Sequence, residues 1–107
     1  MTEFQRLAPI ERIVPGRITL AFLGTTRVAI TRVASGEVRV FNNACPHAGS
    51  PLSGGRVCDG QVECPRHGWR FDLDSGACVT SPEYALRVYE SRLRDGWVEA
   101  RKPDEIW

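Results

Sequence analysis

The sequence predicts an all-β fold, and three observations predict it. Helical periodicity is almost absent along the chain. Short alternating runs rich in Val, Ile, Thr and Phe take its place, the pattern of half-buried strands. Turn residues bound these runs at close intervals, and Asp59-Gly60 and Asp95-Gly96 are two-residue hairpin signals.

Read in order, the strands fall at Thr2 to Arg6, Ile18 to Leu23, Arg27 to Val33 and Glu37 to Asn42. Five more fall at Gly55 to Cys58, Gln61 to Cys64, Trp69 to Asp72, Leu86 to Leu93 and Trp97 to Arg101. Gly24-Thr25, Ser35-Gly36 and Ser75-Gly76 are weaker turn signals between them. Ala8 to Gly16 contains two prolines, with room for one helical turn around Ile10 to Ile13. Two stretches fit no strand: Ala44 to Gly54 and Pro65 to Gly68, both rich in Pro, Gly, Cys and His. Loops on a rigid β scaffold are where function usually sits.

The 107 residues suit a single domain, 1–107, with 42% apolar and 25% charged residues. A formal charge of +1 gives no bulk attraction to nucleic acid or membrane. Apolar runs are far shorter than the ~20 residues that span a bilayer, and no signal pattern opens the chain. The expectation is a soluble, cytoplasmic protein with reduced thiols. Four cysteines there suggest metal binding or packing before disulfides.

The first loop carries Cys45-Pro46-His47, and the second carries Cys64-Pro65-Arg66-His67. Both histidines of the chain fall in this pattern, and each loop pairs one thiolate with one imidazole. Zinc uses the same ligand types tetrahedrally. A zinc finger, however, groups Cys with Cys and His with His on a helix, and no helix is expected here. A Cys–His catalytic pair would leave the other Cys and His unexplained. Buried cysteines with surface histidines are the bland alternative, and the doubled arrangement argues against it.

These residues strongly resemble the Rieske iron–sulfur family. The resemblance runs through Cys45-Pro46-His47-Ala48-Gly49 and Cys64-Pro65-Arg66-His67-Gly68-Trp69-Arg70-Phe71-Asp72. It continues through Ser75-Gly76 and Ser81-Pro82 to the closing strands around Asp95-Gly96. It implies three layered antiparallel sheets and a small cluster-binding subdomain, about residues 43–82, made from two ligand loops. It also implies one [2Fe–2S] cluster, with Cys45 and Cys64 on one iron and His47 and His67 on the other. A third loop containing Pro82 would cover that cluster, with Ala48, Gly49, Trp69 and Pro82 around it. Gly49 and Gly68 would shape the loops and let backbone N–H groups approach the cluster sulfurs. Trp69 would be packing or an apolar screen. Neutral imidazoles in place of two thiolates leave the centre less negative, so Rieske potentials span about −150 to +300 mV against about −400 mV for plant-type ferredoxins.

High-potential members of the family carry a disulfide between the loops and Ser and Tyr hydroxyls aimed at the cluster. The corresponding residues here are Ser50, Arg66, Trp69 and Phe71. The resemblance therefore implies a low-potential, monomeric ferredoxin. Its partners would be a flavin-containing NAD(P)H-dependent reductase and a terminal non-haem iron oxygenase of the aromatic ring-hydroxylating type. It would not be an enzyme alone, because no histidine is left for a catalytic mononuclear iron. The small subunit of assimilatory NAD(P)H nitrite reductase is the alternative, and a structural zinc module is a remote one. Arg56, Arg66 and Arg70 read as a solvated rim or as a basic docking collar. Cys58 and Cys78 read as small buried hydrophobes.

Overall fold

A computed structural model describes residues 3–47 and 49–102. The expected strands form, as β1 (Gln5–Pro9), β2 (Thr19–Leu23), β3 (Thr26–Arg32), β4 (Val38–Asn42), β5 (Arg56–Cys58), β6 (Gln61–Glu63), β7 (Arg70–Asp72), β8 (Val88–Arg94) and β9 (Trp97–Arg101). Short 3-10 turns form at Ile10–Arg12 and Leu52–Gly54. The first strand is displaced toward the C-terminus of its expected span. Its register is set by β9, with Gln5 opposite Ala100 and Pro9 opposite Trp97, and a bulge lies between Arg6 and Ala8. The Thr2 end of the expected strand and Trp107 lie outside the described residues.

All pairings are antiparallel. The small sheet has the order β5-β6-β7. The other two of the three expected sheets are fused into the order β1-β9-β8-β4-β3-β2. The fusion lies in β8, whose Val88 and Tyr89 pair with β4 while Glu90 to Arg94 pair with β9. Seven residues are enough for one strand to serve both neighbours.

The central strands β3 and β4 are buried on both faces, and their side chains alternate between two cores. Val28, Ile30 and Val40 face the first, with Leu23, Tyr89, Val98 and Ala100. Ala29 and Phe41 face the second, with Leu52, Val62, Phe71, Leu73, Cys78 and Leu86. A strand buried on both faces reads as a continuous apolar run, as Val28-Ala29-Ile30 does. This wall supports the small sheet and both Cys-containing loops, because Cys45 and Cys64 belong to the second core.

On the opposite sheet, Glu99 is nearly buried between Arg92, 2.7 Å away, and Arg6, 3.5 Å away. The Arg92 hydrogen bond holds its carboxyl below the usual carboxylate range.

Asp72 closes the hairpin that follows β7. Its Oδ1 accepts the N–H groups of Asp74 at 2.8 Å and Ser75 at 3.0 Å. The Ser75 N–H, then that of Asp74, lowers its pKa from the ordinary value. A depressed folded pKa stabilises the fold above the ordinary carboxylate range, and the benefit is lost as pH falls through the lowered value. Asp72→Ala is therefore expected to cost about 1–2 kcal/mol at pH 7 and less at about pH 3, by urea denaturation at both. An equal cost at both would remove the charge from the explanation.

Candidate metal centre

The two Cys–His loops are closed by the same hydrogen bonds. The Cys45 N–H donates to the Ser50 carbonyl at 2.9 Å, and the Gly49 N–H donates to the Cys45 carbonyl at 2.7 Å. In the second loop, Cys64 N–H donates to Trp69 O at 2.7 Å, and Gly68 N–H to Cys64 O at 2.9 Å. Each loop thus turns back on its cysteine four residues later. The turning residue needs a left-handed backbone, and Gly49 and Gly68 supply φ of 70° and 71°. A Cβ at either would meet no atom within 4 Å, so conformation rather than space requires glycine. The glycines' own N–H groups are spent on the cysteine carbonyls, while their left-handed backbone sets the turn of each loop.

The first loop is also laced from its base. Asn42 Oδ1 accepts the Ala44 N–H at 2.9 Å. The buried Asn43 accepts Ser53 N–H at its side chain and Leu52 N–H at its carbonyl, both at 2.9 Å. Sequence reading missed these two residues. The signal available was a tandem Asn at the mouth of a Pro/Gly loop, where Asn side chains habitually close turns.

The loops bring the two histidine rings together and set both cysteines into the second core. Cys45 and Cys64 are buried, at 2% and 0% exposure, and neither is in a disulfide. The rings of His47 and His67 lie 5.2 Å apart, nearly edge to face. His67 is exposed and His47 partly buried. Trp69 stacks on His47 with centroids 3.8 Å apart and planes within 13°. Ala48 lies outside the described residues.

One atom is left without a partner. His47 Nδ1 is buried and makes no hydrogen bond among the described residues. Such an atom costs about 1–3 kcal/mol unless something binds it. An imidazole nitrogen without a protein partner, on a ring 5.2 Å from that of a second histidine, is a fitting donor for iron. Among the described residues, no three Cys, His, Asp or Glu side chains gather for a single ion. A two-iron centre does not require that, since its protein ligands divide two and two.

The third loop is present, but Pro82 itself is exposed. The residue it delivers to the site is Tyr84, which sequence reading missed. Its ring meets His47 edge-on at 5.8 Å and Trp69 at 5.2 Å. Cys78 holds this loop: its N–H donates to the Tyr84 carbonyl, and its Sγ accepts the Ser81 N–H, both at 3.2 Å. Cys78 is buried as expected, but Cys58 is exposed. The reason is strand alternation: Val57 turns inward on β5, so Arg56 and Cys58 turn out.

The family model for the Rieske [2Fe-2S] domain matches residues 3–90. The cholesterol 7-desaturase nvd 1 of Ciona intestinalis is 38% identical over 105 residues, which is 95% of this chain and 22% of that protein. This chain thus spans about a fifth of that relative, and 12–19% of three further oxygenase or desaturase relatives. Two small relatives match nearly end to end. The anthranilate 1,2-dioxygenase ferredoxin subunit of Burkholderia cepacia is 32% identical over 100 residues, 92% of each chain. The nitrite reductase (NADH) small subunit of Salmonella typhimurium is 32% identical over 107 residues, 94% of this chain and 99% of that one. Among solved structures, the ferredoxin of Sphingomonas yanoikuyae B1 superposes with a TM-score of 0.85 at 29% identity, over 94% of this chain and 100% of that one. Loops, core and relatives agree: this chain belongs to the Rieske [2Fe–2S] family and is built for a Rieske-type cluster with Cys and His ligands.

Proposed function

We propose that this chain, as a single domain 1–107 with its cluster-binding subdomain at about 43–82, is a low-potential one-electron carrier. It takes electrons from an NAD(P)H-dependent flavoprotein reductase and passes them to a terminal non-haem iron oxygenase of the ring-hydroxylating type, in the cytoplasm. Cys45 and Cys64 hold one iron, and His47 and His67 the other. When bound, such a cluster accepts and returns one electron at a time.

The observation that carries the reading is the unpartnered His47 Nδ1, set beside His67 at the loop end where both cysteines are buried. The chain's own residues do three things there. The buried thiols anchor the inner side to the second core. Trp69 and Tyr84 keep water from one side of His47. The exposed His67 opens the other side toward a partner. A low potential is favoured by Trp69 and Phe71 standing where hydroxyl donors would stabilise added negative charge.

The carrier role is supported by the end-to-end similarity to a dioxygenase ferredoxin subunit. It is also supported by a solved complex of oxygenase and ferredoxin in carbazole 1,9a-dioxygenase, whose matched chain is 26% identical with a TM-score of 0.79. A second reading, the small subunit of a nitrite reductase, is favoured by the equally complete match to that relative.

Electrochemistry with EPR on the reduced protein tests the proposal. The expected result is a mixed N/S-ligated [2Fe–2S] signal and a potential below zero. A clearly positive potential overturns the low-potential assignment. Zinc without iron and acid-labile sulfide overturns the cluster assignment of these residues. Isolation from native cells in fixed stoichiometry with a sirohaem protein replaces the carrier by the nitrite reductase reading.

A further inference from the structure

Charge is segregated along the small sheet. Registry places Arg56, Glu63 and Arg70 in one transverse row at the end that runs into Cys64 and Trp69. Past the row of Val57, Val62 and Phe71, the row at the opposite end is Cys58, Gln61 and Asp72, with Asp59 in the adjoining turn and Asp74 just beyond. The ligand end is therefore rich in arginine and the far end rich in aspartate.

The arginines at the ligand end outnumber their counter-ions. Glu63 is shared between Arg56 at 3.4 Å and Arg70 at 3.5 Å, so one carboxylate faces two guanidinium groups. Arg56 and Arg70 are 82% and 60% exposed. Arg66 is exposed beside His67 and makes no ion pair among the described residues. Glu83, on the Tyr84 loop, accepts a hydrogen bond from Ser81. Arg87 lines a groove with Cys45 and Pro46 of the first loop. At the far end, Arg39 is held by Asp74 at 2.7 Å and adds nothing to the ligand end.

We propose that Arg56, Arg66 and Arg70 form a basic collar around the exposed His67, and that this end of the molecule docks an acidic face of its redox partner. The inference rests on the electron-carrier reading and adds the partner's surface chemistry. The whole molecule offers no comparable pull. Its formal charge is +1, and a reduced cluster on two thiolates adds roughly one negative charge, so the loaded protein is near neutral. Steering must come from where the charges stand. Local complementarity of this kind raises encounter rates and is screened by salt.

The experiment uses the cluster-loaded, dithionite-reduced protein with two forms of one acceptor. Native cytochrome c presents a basic surface, and succinylated cytochrome c an acidic one. One electron passes from the reduced cluster to the ferric haem in each case, with no proton required. Stopped-flow rates are taken from about 10 to about 300 mM salt, which shortens the screening length several-fold. The expected result is that oxidation by the succinylated form slows about tenfold or more as salt rises, while oxidation by the native form does not slow.

Arg66→Glu alone is expected to weaken that salt dependence about threefold, and Arg56→Glu, Arg66→Glu and Arg70→Glu together to abolish or invert it. Arg94→Glu makes the same change of two charge units at the exposed end of β8 and is expected to leave it unchanged. A cluster-loaded protein whose rate with the acidic form is flat, or that favours the basic form at low salt, overturns the collar and leaves the carrier reading standing. A protein that shows no reducible [2Fe–2S] signal overturns the carrier reading, and the collar with it.

Discussion

His47→Ala is expected to lower iron and acid-labile sulfide content at least tenfold, while the apoprotein remains folded within about 1 kcal/mol of its parent. Two opposing effects set that second number. Truncation abolishes the ring stack on Trp69, which contributes about 0.5–1.5 kcal/mol, together with some apolar burial. It also removes a buried, unpartnered Nδ1 whose cost is about 1–3 kcal/mol in the apoprotein. The two nearly cancel, so the apo fold hardly notices. Cluster uptake does if His47 and His67 hold one iron as proposed, because that iron would be left with a single protein ligand. Parallel urea denaturation of the apoproteins and iron–sulfide analysis after reconstitution would check both halves. A large loss of apo stability with normal iron content would make His47 a packing residue and sink its assignment as a ligand. His67→Ala supplies a partial control, because His67 is exposed and its loss should affect loading alone.

Gly55→Ala is expected to disrupt the site from outside it, and Gly54→Ala is not. A Cβ on Gly55 would stand 1.9 Å from the Glu63 carbonyl oxygen and 3.2 Å from that of Leu52. Both obstacles are backbone, so β5 must move away from β6 directly beside Cys64. Overpacking of this kind costs about 1–3 kcal/mol and occasionally more. Here it also shifts a ligand loop, so a raised fraction of cluster-free protein is expected along with lowered stability. A Cβ on Gly54 would meet Pro65 Cγ at 3.6 Å, an ordinary contact with a side chain. Gly54→Ala is expected to stay within about 0.5 kcal/mol of the parent and to load normally. Thermal melts and the visible absorbance of the two variants would decide it. Equal behaviour would mean that β5 has more freedom than its packing suggests.

The strands were legible because alternation and Asp-Gly turns report the local pleat directly. Eight of the nine begin or end within about two residues of expectation; β1 moved because β9, not its own pattern, sets its register. The Cys–His loops were legible because the residues at work there are consecutive and chemically unusual. Tyr84 was not, because an aromatic near a turn looks like any other until the Cys78 loop swings it onto Trp69. Cys58 was misjudged because a thiol is equally at home on either face of a strand, and Val57 decided which. The matching hydrogen bonds that close the two loops were not legible, because they join residues four apart through a specific turn.

The sequence by itself determined the all-β class, the positions of the two loops and the candidate donor set Cys45, His47, Cys64 and His67. These follow from local periodicity and from residue chemistry, which neighbours in the chain already carry. Only the tertiary structure decided that β8 joins two sheets, that β3 and β4 divide two cores, and that Gly55 alone of its pair has no room. Only it aligned Arg56, Glu63 and Arg70 into one row. Those outcomes depend on cross-strand register, and register is set by which buried faces meet rather than by any single segment.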